Sequence, residues 1–539
     1  MGYTCGRTIL ELATNFTLRP VLYSVLVLAV AACTDSTSTP SAASADAPVR
    51  PQFEIKNVPA FDPTSIAAYD GDHAEVYAHI DQNLDSHVAQ LQRWVRQPSI
   101  SAENNGVLEM AELLRQDLED MGFVEAELVP TDGHPGVWGY YDAGAEKTLM
   151  LYMMYDVQPV NPDDWQVAPF DGALVDHDLG SVLMARGATN QKGPERALLN
   201  ALQSIIDVTG TLPVNIMVAA EGEEELGSPH YPQIIDKYEE RLKHADGVLF
   251  PFNSQDREGG LTLSLGVKGI IYFELEAHGS EHGGPMNNEI HGSYKAVVDA
   301  PAWRLSQALA SLTTKDGNTI RVPGYYDGVR PPSDEEYSLV NGMLKSWDED
   351  RIKQQLGVAR WVDGKTGGEA LMEYLYTPSL NIDGMWSGYT GEGVKTILPH
   401  VATAKLDSRL PPGIDPDQAL ASIRSYLDEQ GFTDISMVTK SSYPASQTSV
   451  ETPLVKAAIG VFNRYGATVR VQPRLAGSAP FYQFTERLKL PMVFTGLGLG
   501  TGAHGPNEFM LIAPAPGVEA AGLAEIEKGY VDLVYALSR

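Results

Sequence analysis

Two uninterrupted apolar runs separated by one amphipathic segment constrain this chain most strongly. The runs are TLMLYMM at 148–154 and VNIMVAA at 214–220, and neither alternates between apolar and polar residues. A strand without alternation is typical of a sheet that is buried on both faces. The segment between the runs has apolar residues at the helical period: Ala197, Leu198, Ala201, Leu202, Ile205 and Ile206. The pattern predicts a β-α-β unit, and therefore a largely parallel sheet with helices on its faces.

Acidic residues follow both apolar runs. Asp156 comes two residues after the first run, and Glu223, Glu224 and Glu225 come shortly after the second. An acidic run is most often a solvated surface. Here, however, the carboxylates lie where two parallel strands end, which is where open α/β sheets bind ligands. The position favours a site that transfers protons or holds a metal ion.

Four short motifs occur in order along the chain. They are YDVQP at 155–159, RGATNQKG at 186–193, EGEEELGSP at 221–229 and GAHGPNE at 502–508. Longer segments at 263–277, 381–399, 404–412 and 474–494 extend the pattern. Together they resemble the zinc-dependent aminoacylase, carnosine dipeptidase and glutamate carboxypeptidase group, peptidase family M20. The resemblance covers nearly everything from about 80 to 539.

The resemblance implies a fold and an assembly. An α/β catalytic domain, with a largely parallel sheet flanked by helices, is expected at about 61–265 and 446–539. A smaller α+β lid or dimerisation domain is expected as an insertion at about 266–445. A homodimer is the expected assembly.

The resemblance also implies a chemistry. Members of the family usually hold two zinc ions with a water or hydroxide between them, and they cleave small peptides or N-acyl amino acids. Glu224 matches the general base, and Asp156 matches the aspartate that orients a histidine ligand. Glu225 and His504 match two ligands of one metal ion.

Three expected ligands of the second metal ion are substituted. Met154 stands where the family has histidine, Asn190 where it has the bridging aspartate, and Phe252 where it has a further carboxylate. A thioether is a poor zinc ligand, and a neutral amide cannot bridge two cations. Asp256 is the nearest alternative carboxylate in the sequence. We therefore predict one metal ion at most, held by Glu225 and His504 with Asn190 as a weak third ligand, or no metal ion.

The residues expected to bind substrate are better preserved. His291 matches a lid histidine that reaches the carbonyl oxygen of the substrate, often across the dimer. Arg409 and the loop Gly477-Ser478 match the groups that receive the substrate carboxylate, and Arg474 precedes that loop. Each could instead have a structural role, such as an Arg409 ion pair with Asp407.

The sequence is consistent with three functions. The first is hydrolysis of peptide or N-acyl amino-acid amide bonds with a reduced or absent metal site. The second is a metal-free enzyme that uses the same cleft for acid/base chemistry, such as amide rearrangement, elimination or acyl transfer. The third is a substrate-binding pseudoenzyme. The paired Glu224 and Glu225 argue against the third, because a binding module does not need proton-transfer groups.

The N-terminal sequence predicts export. An apolar stretch of about a dozen residues ends in VAAC at 30–33, like the lipobox of a bacterial lipoprotein signal peptide. Residues 34–60 are predicted to form a flexible tether. These features predict a periplasm-facing lipoprotein of the cell envelope, in the outer membrane, attached only through a lipid on Cys33. A net charge of −31 disfavours nucleic acid as a partner.

Overall fold

The structure is a computed structural model, and it describes residues 48–539. The predicted signal peptide at 1–33, Cys33 and the first part of the predicted tether lie outside the described residues. Within residues 48–539, no helix is both long enough and apolar enough to cross a membrane.

The α-helices of the described residues alternate with strands along much of the chain. They are α1 (Ala74–Arg96), α2 (Val107–Asp120), α3 (Lys192–Thr209), α4 (Tyr231–Leu242), α5 (Pro301–Leu312), α6 (Asp334–Leu344), α7 (Glu349–Leu356), α8 (Gly367–Tyr376), α9 (Pro416–Glu429), α10 (Pro453–Arg464) and α11 (Leu523–Leu537). The predicted crossover helix is α3.

The strands form one large sheet and several smaller ones. The strands are β1 (Glu125–Val129), β2 (Gly136–Tyr141), β3 (Thr148–Met154), β4 (Ala173–His177), β5 (Gly180–Met184), β6 (Asn215–Glu221), β7 (Gly247–Pro251), β8 (Gly260–Ser264), β9 (Gly266–Val267), β10 (Gly269–His278), β11 (Ile290–His291), β12 (Asn381–Ser387), β13 (Ile397–Leu398), β14 (Val401–Leu410), β15 (Ile435–Tyr443), β16 (Ser446–Gln447), β17 (Thr468–Gln472), β18 (Met492–Thr495), β19 (Gly500–Thr501) and β20 (Phe509–Pro514).

The eight-stranded central sheet has the order β1-β2-β6-β3-β7-β18-β8-β17. Its middle strands β6, β3, β7 and β18 are parallel to one another, whereas β1 and β2 are antiparallel additions at one edge. Helices α1, α2, α3, α10 and α11 pack on one face, and α4 packs on the other. Burial on both faces is why β3 and β6 lack alternation. The predicted α/β class with a mostly parallel sheet is confirmed.

A second sheet lies within the region predicted as the lid. It is antiparallel, has the order β12-β14-β10-β15, and packs its inner face against α5 and α9. The apolar residues of these two helices include Leu305, Leu309 and Ile423, which are buried in a core of their own.

The segment 334–376, assigned by sequence to the lid, packs in a separate cluster. Helices α6 and α8 bury a small apolar core together with Phe53 and Val58 from the N-terminal segment. Asn341 donates hydrogen bonds to the carbonyls of Lys56 and Val58, at 2.9 and 2.8 Å. Residues 53–58 are therefore held against α6 and α8, although the sequence predicted a flexible tether as far as residue 60. Bonds of this kind depend on a distant helix and leave no local sequence pattern.

Candidate active site

The site forms where two central strands end side by side. Strands β3 and β6 are parallel neighbours, and Met154 at the end of β3 lies opposite Glu221 at the end of β6. The chain turns directly after each strand. The register therefore brings Asp156 next to the turn that contains Glu224 and Glu225.

Asp156 fixes the backbone of the acidic turn. Its two carboxylate oxygens accept hydrogen bonds from the backbone N–H groups of Glu224 and Glu225, each at 3.1 Å. Asp156 is fully buried, and burial raises its pKa to about 7, with the nearby charge of Glu225 adding to the rise. The aspartate that the resemblance assigned to orienting a histidine here orients two glutamates.

Glu225 is the centre of the polar contacts. Its Oε1 accepts a hydrogen bond from Asn190 Nδ2 at 2.7 Å, and its Oε2 accepts one from Gln158 Nε2 at 2.7 Å. His504 Nε2 lies 3.2 Å from Oε2, and this hydrogen bond raises the pKa of His504. The structure thus brings Glu225, His504 and Asn190 together.

Glu224 lies beside this group and is partly buried. Burial raises its pKa well above the ordinary value for glutamate, and the neighbouring carboxylates of Glu225 and Asp156 raise it further. A carboxylate with a raised pKa is a stronger base than an exposed one. In its ionised form Glu224 is therefore suited to taking a proton from water.

A buried ion pair shapes the loop that carries Asn190. Glu508 accepts hydrogen bonds from the backbone N–H groups of Thr189 and Asn190, both at 2.9 Å, and from that of Gly187 at 3.2 Å. Arg186 donates to the same carboxylate at 2.6 Å, and both side chains are almost fully buried. Hydrogen bonds within the protein therefore hold the backbone of the loop at 187–190.

The residues at the second metal position do not fit a metal ion. Met154 is buried, and Phe252 packs against the rings of Phe250 and Phe494. Asp256, the alternative carboxylate, is paired with Arg470 and accepts the N–H of Gly260 at 2.7 Å, so it is not a ligand here. An apolar thioether and an aromatic ring cannot replace an imidazole and a carboxylate on zinc.

The first metal position offers two strong donors, Glu225 and His504, and one amide. Among residues 48–539, no group of three or more His, Cys, Asp or Glu side chains lies close enough to share a metal ion. Catalytic zinc sites normally have three protein ligands. This donor set therefore falls one strong ligand short, and the N–H groups of Asn190 and Gln158 already face both oxygens of Glu225.

The residues predicted to bind substrate lie in different surroundings. His291 is exposed. Its ring nitrogens contact Ser293 Oγ at 2.8 Å and Thr396 Oγ1 at 3.4 Å, and both partners belong to the segment predicted as the lid. Arg409 Nε donates to Asp407 at 2.8 Å. Gly477 is exposed, and Ser478 Oγ donates to the carbonyl of Gly269 at 3.0 Å.

Arg474, which was predicted to assist in substrate binding, is buried among protein partners. Its side chain is 1% exposed and pairs with Glu336, and its guanidinium also donates to Gln447 Oε1 at 2.7 Å. The guanidinium lies 4.5 Å from the ring centre of Tyr376. Closeness to the Gly477 loop in sequence does not fix the direction of a long side chain, and substrate binding by Arg474 stays a prediction.

Sequence reasoning missed three residues of the site. Gln158, in the same YDVQP motif as Asp156, holds Glu225. Glu221 is buried, accepts hydrogen bonds from Tyr152 and Ser228, and has its pKa raised to about 8 by burial. Glu195 accepts the backbone N–H of Met154 at 2.7 Å. The position of Gln158 in that motif was an available signal, whereas the partners of Glu195 and Glu221 depend on tertiary packing.

Comparison with known proteins places this site in a family. The sequence model of Peptidase family M20/M25/M40 matches residues 150–519. The Cys-Gly metallodipeptidase DUG1 of Candida albicans is 26% identical over 459 residues, which cover 80% of this chain and 91% of that protein. The Beta-Ala-His dipeptidase of Mus musculus is 27% identical over 382 residues, covering 67% and 75%.

A solved structure has the same fold. An M20 family metallo-carboxypeptidase from Sulfolobus solfataricus superposes with a TM-score of 0.73 and 31% sequence identity, covering 84% of this chain and 98% of that one. Human carnosine dipeptidase 1 superposes with a TM-score of 0.68 and 23% identity, covering 86% and 99%, and supports the fold alone.

Proposed function

The chain belongs to peptidase family M20/M25/M40 and is a peptidase-like hydrolase, and from this membership we propose that it cleaves the amide bond of dipeptides or N-acyl amino acids with at most one metal ion. One observation carries the proposal. Asp156 holds the turn of Glu224 and Glu225 at the ends of β3 and β6, next to His504. The acidic turn and the imidazole of His504 therefore lie together at the ends of the two strands.

Glu224 is the general base of the proposed reaction. It takes a proton from the water that attacks the carbonyl carbon, and it passes that proton to the amine as the C–N bond breaks. The raised pKa of Glu224 favours the transfer of a proton from water to its carboxylate. We assign the substrate carboxylate to Arg409, Gly477 and Ser478, and the carbonyl oxygen to His291 from a second copy of the chain. No step is routed through a metal ion, because the donor set does not fit a dinuclear centre.

The test is a pair of adjacent substitutions. Glu224→Gln removes the base, and we expect kcat for dipeptides to fall by a factor of about 100 or more. Glu223→Gln is the matched control, because Glu223 binds His230 at 2.7 Å instead of the site. Assays would use Cys-Gly, Beta-Ala-His and N-acetyl amino acids. Full turnover by Glu224→Gln on a confirmed substrate would disprove the assignment.

Metal content distinguishes this proposal from its alternative. Purified protein, with and without added zinc, should hold no more than one zinc ion per chain, whereas two tightly bound ions would contradict the loss of the second site. The alternative is metal-free acid/base chemistry, such as amide rearrangement, elimination or acyl transfer. It is favoured by the amide N–H groups that already face both oxygens of Glu225.

We also propose that the chain is exported to the cell envelope and lipidated on Cys33. The support is the sequence VAAC at 30–33 after an apolar stretch. Cys33→Ser should move the protein from the membrane fraction to the soluble periplasmic fraction, or leave it unprocessed. An unchanged membrane fraction would contradict the proposal.

A further inference from the structure

A cavity of about 620 Å³ lies apart from the acidic turn. It is enclosed by α7, α8 and their flanking loops, by the N-terminal segment and by residues at the ends of β10, β14 and β17. Its lining includes Arg50, Lys268, Trp347, Leu356, Trp361 and Arg409. Binding sites for small molecules commonly have volumes of about 300–1,000 Å³.

Lys268 contributes a buried amino group to the cavity wall. The residue is only 3% exposed, and its Nζ donates a hydrogen bond to the carbonyl of Thr377 at 2.8 Å. No carboxylate lies within ion-pair distance of it among residues 48–539. Burial lowers its pKa to about 7, with Arg474 adding to the effect. A buried charge is costly unless it is paired.

The other charges around Lys268 already have partners. Glu373 is held by Arg50 at 2.6 Å and by Lys365. Arg409 is paired with Asp407. Glu373, the carboxylate of the cavity lining, is therefore already shared between two cations, and the lining carries an excess of positive charge.

The rest of the wall is apolar, and part of it faces solvent. Leu356, Val362 and Tyr374 are 63%, 44% and 51% exposed. The indole N–H groups of Trp347 and Trp361 are buried and have no hydrogen-bond partner within the described part of the chain. Covering this apolar surface would be favourable, by roughly 25 cal/mol per Å².

We propose that this cavity binds a monocarboxylate with an apolar body, such as a medium-chain fatty acid. The carboxylate pairs with Lys268, and the hydrocarbon chain lies against Trp347, Trp361 and Leu356. A single negative charge supplies the partner that Lys268 lacks, and the apolar chain covers the exposed wall. Glu224, Glu225 and His504 do not line the cavity, although Arg409, to which we assign the substrate carboxylate, does. Direct titration of decanoate tests this assignment separately from the proposed hydrolysis.

The experiment is calorimetric titration of the full chain with decanoate, with decan-1-ol as the uncharged analogue of equal length. Both are kept below the concentration at which they aggregate. We expect saturable binding of one decanoate per chain and at least about tenfold weaker binding of the alcohol, since the alcohol cannot form the charge-assisted hydrogen bond that the carboxylate forms with Lys268. Equal affinities, or no saturable binding of decanoate, would overturn the proposal.

Substitutions in and outside the cavity lining test where decanoate binds. Leu356→Asp places a charge at the exposed mouth of the cavity, and we expect decanoate to bind at least about tenfold more weakly. Val394→Asp is the matched control, because Val394 is 94% exposed and does not line the cavity. Lys268→Met should remove the preference for the acid over the alcohol. Equal decanoate affinity in Leu356→Asp and Val394→Asp would overturn the assignment, even if Lys268→Met fails to fold.

Discussion

Replacing Asn190 by aspartate tests whether the site has adapted to the loss of the bridging carboxylate. Asn190 Nδ2 donates to Glu225 Oε1 at 2.7 Å. In Asn190→Asp the same position holds a carboxylate oxygen, so two negative charges would lie about 2.7 Å apart. With an effective dielectric constant of about 20, their repulsion is about 6 kcal/mol.

Protonation limits that penalty. Holding a proton on an aspartate of ordinary pKa 3.9 at pH 7 costs about 4 kcal/mol, which is less than the repulsion. We therefore expect the free energy of unfolding to fall by about 4 kcal/mol at pH 7 and by about 1.5 kcal/mol at pH 5. The sign follows because the folded variant binds a proton that the unfolded chain has released.

Thermal unfolding at the two pH values is the assay. At about 2.1 cal/mol/K per residue, the unfolding entropy of a chain of this length is about 1 kcal/mol/K, so the midpoint should fall by about 4 °C at pH 7. Zinc should reverse the loss in the variant, since a cation between two carboxylates replaces the proton. Asn287→Asp makes the same charge change at an exposed position and should have little effect. An unchanged midpoint for Asn190→Asp, or equal stabilisation of the wild type by zinc, would refute the reasoning.

Two further predictions concern buried charges. Lys268→Met should stabilise the protein most below pH 7, by up to about 5 kcal/mol, and the advantage should disappear towards pH 10. The unfolded lysine keeps its proton up to about pH 10.5, whereas the folded one loses it near pH 7, so the stability of the wild type rises with pH between these values. Urea unfolding midpoints of both proteins, measured across this pH range, would test the prediction. Arg186→Met leaves Glu508 buried without its cation and should lower the free energy of unfolding by about 3–5 kcal/mol. The control Arg115→Met removes exposed ion pairs and should lower it by no more than about 1 kcal/mol. Equal urea midpoints for these two variants would contradict the role of the buried pair.

The central sheet was predictable because its pattern is local. The runs at 148–154 and 214–220 lack alternation, and the structure places them as the adjacent parallel strands β3 and β6. The acidic turn followed from the rule that ligands bind at the carboxyl ends of such strands. The packing of segment 334–376 was not predictable. An apolar helix face indicates that the face is buried, but it does not indicate which segment packs against it.

The hydrogen bonds of the site were harder to predict than its residues. Asp156, Glu225, His504 and Asn190 were identified from motifs, but the sequence did not indicate that the side-chain amides of Gln158 and Asn190 would donate hydrogen bonds to Glu225. Such contacts depend on ångström-scale placement of loops that are distant in sequence. The same limitation applies to the ion pair of Arg474 with Glu336.

The ion pair of Arg186 and Glu508 has an evolutionary consequence. Because Glu508 holds the backbone at Gly187, Thr189 and Asn190, the loop does not need a metal ion to keep its shape. Ligand residues carried on such a scaffold can be exchanged one at a time while each intermediate sequence still folds. Selection can then act on the chemistry of the site separately from its architecture, which is a route by which a metallopeptidase lineage can acquire a different reaction without first losing its cleft.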